Sequence, residues 1–297
     1  EWHHSEFRPG KNGQAPQSVV SFEIHSANSG DERRAIVKGQ LEVTWTPDKT
    51  QSGLRIPGTI KVRDTSITDY IGKPAFTELL QIDPKKVDAK LYPRVSPLIV
   101  YDLNQDSLPE IVLAGCNLVY RNQGGGKFQH EPMLRNPIMP IGEAGILSDF
   151  NGDGHVDFVS TGKEDGLLRL WSGSVGGQFN AKPSVCFQGK YENQHTMTAA
   201  DIDNDGDLDL FVGQWKQPYL RGSMPPPYYD ANDGSPDTLL LNDGAGKFTD
   251  GTEAAGLATK RNRRTYSASF ADLDGDLDLD LFTVCDFSGI DLYRNDG

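Results

Sequence analysis

Four Asp-rich segments recur along the chain, and this repetition constrains the fold more than any other feature of the sequence. They read YDLNQDSLPEIVL from Tyr101, SDFNGDGHVDFVS from Ser148, ADIDNDGDLDLFV from Ala200 and ADLDGDLDLDLFT from Ala271. By subtraction they begin 47, 52 and 71 residues apart, counted between their first aspartates, Asp102, Asp149, Asp201 and Asp272. A unit of about fifty residues is therefore repeated, with an insertion in its third copy.

Each acidic segment leads into a short apolar strand and a Gly-rich turn. These second segments are LVYRNQGGGKF from Leu118, LRLWSGSVGGQF from Leu168, LLLNDGAGKF from Leu239 and DLYRNDG from Asp291. Asn and Gly accept the positive φ of hairpin turns. Short strands and turn signals at this period are typical of propeller blades, whereas helical repeats would show a 3.6-residue period. We therefore predict an all-β fold, with a β-propeller of about four units in residues 93–297.

Residues 1–92 lack the repeat and have a different pattern. Apolar residues alternate in RRAIVKGQLEVTWTPD from Arg33 and in GLRIPGTIKVRD from Gly53, on either side of a turn-rich segment. This pattern predicts a β-hairpin. We expect a β-rich N-terminal region that joins the propeller near Tyr92.

The chain stops at Gly297, inside the Gly-rich turn of the fourth unit, so we expect this unit to be truncated. Propellers typically close with about 4–8 blades, and an open sheet exposes unpaired strand edges. We therefore expect that the chain is a fragment, or that another chain or the N-terminal strands complete the propeller.

The spacing of the acids indicates calcium. Ca²⁺ takes roughly six to eight oxygen ligands, and a short loop can supply side-chain oxygens from positions 1, 3, 5 and 9 and a backbone carbonyl from position 7. A glycine at position 6 permits the sharp bend, and Mg²⁺ is less suited because it demands a tight octahedron. Two segments fit this scheme fully, with candidate ligands Asp149, Asn151, Asp153, the His155 carbonyl and Asp157, and Asp201, Asp203, Asp205, the Asp207 carbonyl and Asp209.

The other two segments depart from the scheme at position 6, where Ser107 and Leu277 replace glycine. Because leucine disfavours positive φ, we expect the fourth loop to be distorted. The candidate ligands in these two segments are Asp102, Asn104, Asp106, the Leu108 carbonyl and Glu110, and Asp272, Asp274, Asp276, the Asp278 carbonyl and Asp280.

Two other interpretations of the acidic segments are polar turns on half-buried strands and a catalytic carboxylate pair. Fourfold repetition at one position of the unit disfavours simple polar turns. Catalytic acids need dissimilar environments that separate their pKa values, whereas these clusters are nearly equivalent.

These motifs resemble the FG-GAP/VCBS repeats of integrin-α-type propellers. The stretch that begins PPPYYDANDG at Pro225 and ends LYRNDG is similar to the secreted bacterial branch related to cartilage acidic protein, which is associated with ASPIC/UnbV. The resemblance covers about Tyr92 to Gly297, with departures at Ser107, Leu277 and Gly251. It implies calcium-stabilised propellers in secreted, periplasmic or cell-surface proteins, and repeats that continue beyond Gly297.

Charge and composition limit the classes of partner that this chain is expected to bind. The formal net charge is -13, and the acids are concentrated in short segments, which disfavours nucleic acid as a partner. No apolar run approaches the roughly 20 residues needed to cross a bilayer. The three cysteines have no metal-ligand spacing.

The insertion in the third unit is the candidate ligand loop. It is rich in aromatic residues and prolines, and aromatic residues and arginine are enriched at binding hot spots. We expect a protein or glycan ligand here, unless the loop folds over its own blade and buries its rings. The candidate residues are Trp215, Tyr219, Arg221, Tyr228 and Tyr229.

Two functions follow from these features. The first is a calcium-binding, secreted propeller that serves as a structural or interaction module, for example in adhesion. The second is a secreted hydrolase or lyase that acts on polysaccharide and carries structural calcium. No nucleophile elbow, phosphate-binding loop or zinc motif is present, but separated loops can also build an active site, so enzyme activity stays open.

Overall fold

The computed structural model describes residues 1–11, 13–28, 33–72, 76–83, 95–135, 137, 139–179, 182–220 and 223–297. These residues form antiparallel β-sheets, with short 3-10 turns at Ala114–Cys116 and Ala258–Lys260. The all-β prediction is confirmed. No helix in the described part of the chain is long and apolar enough to cross a membrane.

Two compact units divide the chain, Glu1–Leu79 and Leu80–Gly297. We refer to them as the N-terminal unit and the repeat unit. The boundary expected near Tyr92 falls among residues that the structure does not describe, so it stays a prediction.

The N-terminal unit is a four-stranded antiparallel meander. Its strands are β1 (Trp2–Arg8), β2 (Gln17–Asn28), β3 (Arg33–Lys49) and β4 (Arg55–Ile71). The predicted hairpin is present as β3 and β4, which pair from Arg33 opposite Ile71 to Lys49 opposite Arg55. Val43 is buried, whereas Ile60 and Val62 on β4 are more than half exposed. Alternation therefore located these strands correctly, although β4 buries neither of its faces.

The repeat unit contains four successive sheets, one for each repeat. Sheet 1 contains β5 (Leu98–Tyr101), β6 (Glu110–Leu113), β7 (Leu118–Asn122) and β8 (Phe128–Pro132). Sheet 2 contains β9 (Ile141–Ser148), β10 (Asp157–Gly162), β11 (Leu167–Trp171) and β14 (Ser184–Lys190), with the small hairpin β12 (Gly173–Ser174) and β13 (Gln178–Phe179) before β14. Sheet 3 contains β15 (Gln194–Ala200), β16 (Asp209–Gln214), β17 (Thr238–Asn242) and β18 (Phe248–Asp250). Sheet 4 contains β19 (Arg264–Ala271), β20 (Asp280–Asp286) and β21 (Gly289–Tyr293).

The hydrophobic core of the repeat unit lies between successive sheets. Phe158 and Trp171 pack against Val112 from sheet 1, while Phe150 packs with Leu210 of sheet 3. All five side chains are almost fully buried, and burial of each such side chain contributes about 1.5–3 kcal/mol. Each sheet therefore uses its neighbour to cover an apolar face.

The first strands of successive sheets lie side by side. Strand β9 lies beside β5 and β15, and β15 lies beside β19. The described residues do not close these sheets into a complete propeller ring. Their order places the connections that follow the first strands at one common edge.

Candidate functional site

Each acidic segment forms a loop between the first and second strands of its sheet. We number these segments acidic loops 1 to 4 and count nine positions from the first aspartate, so that they span residues 102–110, 149–157, 201–209 and 272–280. The strand residue before position 1 pairs with position 9 in every sheet, as Ser148 does with Asp157 and Ala200 with Asp209. The four loops therefore have the same length and the same anchors.

Positions 4 and 6 have positive φ in all four loops. At position 4 the residues are Gln105, Gly152, Asn204 and Gly275, and at position 6 they are Ser107, Gly154, Gly206 and Leu277. The glycine pattern predicted the bend at position 6, whereas the positive φ at position 4 was not predicted from the sequence. The residues Asn and Gly at position 4 of three copies were the available signal, because both tolerate this conformation.

Leu277 adopts φ +79° and leaves its side chain 83% exposed. Its N–H still donates to Asp272 Oδ2 at 3.2 Å, as position 6 does in the other loops. One bond differs in acidic loop 4, because Gly275 at position 4 donates to Asp272 Oδ1, where position 5 donates in the other three. The expected distortion of this loop is thus confined to a single hydrogen bond among those described.

The carboxylate at position 1 organises the bend of each loop. Asp201 accepts the N–H of Asp205 at 3.1 Å on one oxygen and that of Gly206 at 3.0 Å on the other. Asp149 makes the equivalent bonds to Asp153 and Gly154. A carboxylate oxygen that accepts one hydrogen bond still has a free lone pair, so the position-1 carboxylates could also bind a cation.

The acid at position 9 has a structural role that the sequence analysis did not assign. The buried Asp209 accepts the N–H of Ile202 at position 2 and that of Asn242 on β17. Asp157 likewise accepts the N–H of Phe150 at position 2 and that of Gly173 on β12, and Asp280 accepts those of Leu273 at position 2 and of Asn295, which follows β21. In acidic loop 1, Glu110 Oε2 accepts the N–H of Leu103, while its buried Oε1 has no hydrogen-bond partner among the described residues.

Acidic loops 3 and 4 bring three carboxylates together. One oxygen from each of Asp201, Asp203 and Asp209 lies within 4.8 Å of the others. The same holds for Asp272, Asp274 and Asp276, which are exposed. Acidic loops 1 and 2 have an asparagine at position 3, and the side-chain oxygens of Asn104 and Asn151 accept the N–H at position 5.

Negative charge accumulates in acidic loop 3. Burial, followed by the charges of Asp205, Asp209, Asp203 and Asp201, raises the pKa of Asp207 to about 6. Asp207 Oδ1 is also buried without a hydrogen bond to any described residue. Burial likewise raises the pKa values of Asp157 and Asp209. A bound cation would offset this repulsion, because it would be the largest local charge.

Side-chain amides connect the acidic loops of successive units, as Gln105 Nε2 of acidic loop 1 does by donating to the carbonyl oxygen of Gly154 in acidic loop 2 at 3.3 Å. Asn242 Nδ2 donates to the carbonyl oxygen of Phe150 in acidic loop 2 at 3.0 Å, and Asn295 Nδ2 donates to that of Ile202 in acidic loop 3 at 3.0 Å. Asn204 Nδ2 donates to Asp278 Oδ1 at 2.9 Å, which joins acidic loops 3 and 4 directly. The loops therefore form a connected row.

Trp215 at the start of the insertion packs against its own and the next unit. Its ring lies 5.7 Å from that of His195 and 5.4 Å from that of Tyr266, measured between centroids. Its Nε1 donates to Asp286 Oδ2 at 3.3 Å. Partial burial lowers the pKa of His195. Sequence reasoning missed these partners because they come from the ends of different strands.

The other candidate aromatic residues of the insertion form a second, more exposed group. The hydroxyls of Tyr219 and Tyr228 lie 3.1 Å apart, and the Tyr228 ring lies 5.3 Å from Phe287. Tyr229 packs edge-on against Tyr228 but is 89% exposed. Arg221 lies outside the described residues. We call Tyr219, Tyr228 and Tyr229 the tyrosine patch.

Strand direction separates the insertion from the acidic loops. Acidic loop 3 precedes β16, whereas Trp215 and the insertion follow the end of β16 at Gln214. The loop and the insertion therefore lie at opposite edges of sheet 3. Two distinct candidate sites result, one rich in oxygen ligands and one rich in aromatic rings.

A family model described as an FG-GAP-like repeat matches residues 149–212. The match begins at position 1 of acidic loop 2 and ends in β16, so it includes acidic loops 2 and 3. No curated protein matches the chain.

Among solved structures, the chain is similar to a lectin from Agrocybe aegerita, described in terms of specific recognition of non-reducing terminal N-acetylglucosamine. The identity is 16% and the TM-score is 0.45, and the alignment covers 96% of this chain and 65% of the lectin chain. The chain thus spans slightly less than two thirds of the lectin's length.

Proposed function

We propose that the chain is a calcium-stabilised, propeller-type interaction module of a secreted, periplasmic or cell-surface protein. The observation that carries the proposal is the equivalence of the four acidic loops, which share their length, anchors and two positive-φ positions. The FG-GAP-like match over two of these loops supports the same assignment.

The donor chemistry of the loops fits calcium. Carboxylate, amide and carbonyl oxygens are the ligands that this hard cation prefers, and a flexible loop meets its irregular coordination better than that of Mg²⁺. In acidic loop 3 the ion would be held by side-chain oxygens of Asp201, Asp203, Asp205 and Asp209 and by the carbonyl of Asp207. A cation would reduce the repulsion between the crowded carboxylates, and its positive charge would also lie near the Asp207 oxygen that has no hydrogen bond to a described residue.

Bound calcium would act mainly on stability. An ion that binds only the folded state adds RT ln(1 + [L]/Kd), about 2.7 kcal/mol for a site at about 100 times Kd. Asn242 and Asn295 would transmit this effect between units, since each links one loop to the next sheet.

Thermal unfolding with and without a chelator tests the calcium proposal. We expect EDTA to lower Tm strongly, and excess Ca²⁺ to restore it more effectively than the same concentration of Mg²⁺. A Tm that EDTA leaves unchanged, at low ionic strength and after exhaustive dialysis, would contradict the proposal.

The tyrosine patch is the proposed contact surface for a protein or glycan partner. Tyr229 is almost fully exposed, and among the described residues its ring contacts that of Tyr228, so Tyr229→Ala should leave the fold intact. Trp215→Ala, by contrast, should also lower Tm, because Trp215 packs against His195 and Tyr266. We expect Tyr229→Ala to weaken partner binding at unchanged Tm, and full retention of binding would remove the patch from the proposal.

A further inference from the structure

A cleft of about 700 Å³ lies where sheet 2 leads into sheet 3, on the edge that carries the insertion. We call it the unit-3 cleft. It is lined by polar residues of three chain segments, among them Lys190, Glu192, Asn193, Lys216, Asp233 and Ser235. None of these is an acidic-loop residue, and none belongs to the tyrosine patch.

One buried side chain holds the three segments in place. Gln214 is 1% exposed, and its Oε1 accepts the N–H groups of Glu192 at 3.0 Å and Asn193 at 3.2 Å. Its Nε2 donates to the carbonyl oxygen of Pro236. The shape of the cleft is therefore set by a buried amide, which is the kind of preorganisation that reduces the cost of binding.

A buried ion pair fixes the acidic wall. Arg264 is 1% exposed, and its Nε and Nη2 donate to the two oxygens of Asp233 at 2.9 and 2.8 Å. Lys216 Nζ donates to the Asp233 carbonyl oxygen at 2.7 Å. The Arg264 guanidinium holds the pKa of Asp233 below its usual range. Asp233 is thus a hydrogen-bond acceptor whose position is fixed and whose negative charge is balanced by Arg264.

The lining of the cleft is mainly composed of polar residues. Leu220 and Pro236 are its only apolar residues among those described, so the other described lining residues bring polar groups or backbone to the cleft. Two lysines and two acids line the cleft together, so charges of both signs face it. Amides and hydroxyls make up much of the remainder, as at Asn193, Gln217 and Ser235.

We propose that the unit-3 cleft binds a neutral carbohydrate, a short oligosaccharide whose hydroxyls exchange hydrogen bonds with these amide, hydroxyl and charge-paired groups. The volume falls in the range of roughly 300–1,000 Å³ that is usual for small-molecule sites. Asn193 Nδ2 lies 3.4 Å from Ser235 Oγ, so the two side chains present neighbouring hydrogen-bonding groups from opposite segments. This inference deepens the proposed interaction role by naming a ligand class, and it does not depend on calcium.

Saturation-transfer NMR and calorimetry with defined trisaccharides test the site. The neutral probes are cellotriose, maltotriose, mannotriose and triacetylchitotriose, and trigalacturonate is the charged comparator. We expect at least one neutral probe to bind, with trigalacturonate weaker. Asn193→Ala and Ser235→Ala should each weaken binding by about tenfold, as expected for a lost hydrogen bond.

The matched controls are Gln129→Ala and Ser267→Ala, which remove exposed polar side chains on β8 and β19. They should bind as the unaltered chain does. If Asn193→Ala lowers Tm, the exposed Lys190→Ala provides a second cleft variant.

Three results would overturn the inference: no neutral probe binds at millimolar concentration, trigalacturonate binds best, or the cleft variants bind as the controls do. Loss of binding with Tyr229→Ala but not with Asn193→Ala would place the carbohydrate on the tyrosine patch and also overturn it. An EDTA-insensitive Tm would defeat the calcium proposal while leaving the carbohydrate result intact, so the two failures are distinguishable.

Discussion

Asp209 closes acidic loop 3 by accepting the backbone N–H of Ile202 at 3.0 Å and, with its other oxygen, that of Asn242 at 2.9 Å. One buried carboxylate thus joins the start of the loop to the third strand of the sheet. In acidic loops 2 and 4 the position-9 acid also accepts the N–H at position 2 and an N–H from beyond the third strand, so this acid has a structural role in three of the four loops.

Asp209→Asn should destabilise the chain by about 1–3 kcal/mol, because an amide offers one acceptor oxygen where the loop uses two. Asp203 is exposed and accepts no hydrogen bond within the described residues, so Asp203→Asn is the matched control. In EDTA we expect urea unfolding to show a loss of stability only in Asp209→Asn, because Asp203→Asn removes a repelling charge and no hydrogen bond. In Ca²⁺ both variants should be less stable than the unaltered chain. An equal loss for both in EDTA would mean that the two acids do not have separate roles.

Leu277→Gly should stabilise acidic loop 4. A left-handed conformation costs a residue with a Cβ roughly 1–2 kcal/mol, part of which is cancelled by the greater freedom of glycine in the unfolded chain. We therefore expect a net gain of about 0.5–1 kcal/mol in the free energy of unfolding, since the exposed Leu277 side chain contributes little packing. Gly206→Ala is the reverse test at φ +95° and should destabilise acidic loop 3 by a similar amount. A loss of stability in Leu277→Gly would show that its side chain packs in solution.

Asn242→Ala should uncouple sheets 2 and 3. The Asn242 side chain donates to Phe150 and Leu208, and its oxygen accepts the N–H of Gly246 in the hairpin turn. Loss of these bonds, with a carbonyl left unpaired, should cost about 2–4 kcal/mol in chemical denaturation. Asn232→Ala is a control that removes one exposed bond to Thr259 and should cost less than about 1 kcal/mol. Equal losses would argue against a special role for Asn242.

Asp237 should make stability depend on pH. It accepts the N–H of Gln214 at 2.7 Å and the hydroxyl of Thr265 at 2.6 Å, and burial raises its pKa to about 8. Because this pKa is raised above its value in the unfolded chain, the folded state binds the extra proton between about pH 4 and 8. The contribution of protonated Asp237 to the free energy of unfolding is fully present at the acidic end of that window, and it is lost as the pH rises through 8.

Asp237→Asn imitates the protonated acid and should flatten this dependence, so that the variant gains stability relative to the unaltered chain as the pH rises from 5 to 9. Urea midpoints measured across this window check the expectation. Parallel curves for the two proteins would show that Asp237 titrates normally.

Local patterns predicted much of the fold. Alternating residues located the β3–β4 hairpin, and the repeated acids located the four loops between first and second strands. Leu277 was correctly placed at a position that requires positive φ. These features were readable because turn chemistry and strand alternation act over a few neighbouring residues.

Long-range contacts could not be predicted in the same way. Trp215 meets Tyr266, and Asp233 meets Arg264, only because sheets 3 and 4 pack together. Calcium binding by the acidic loops and ligand binding by the insertion remain predictions. The structure defines only where their described residues lie.

The sequence by itself determined the repeating unit, the strand and turn positions and the spacing of candidate oxygen ligands, because each is encoded within a short stretch. Only the tertiary structure decided that Asp209 ties a loop to β17, that Asn242 joins two units, and that Gln214 holds the walls of the unit-3 cleft. Such bonds join residues far apart in the chain, and they form only after the sheets have packed and brought those groups within reach.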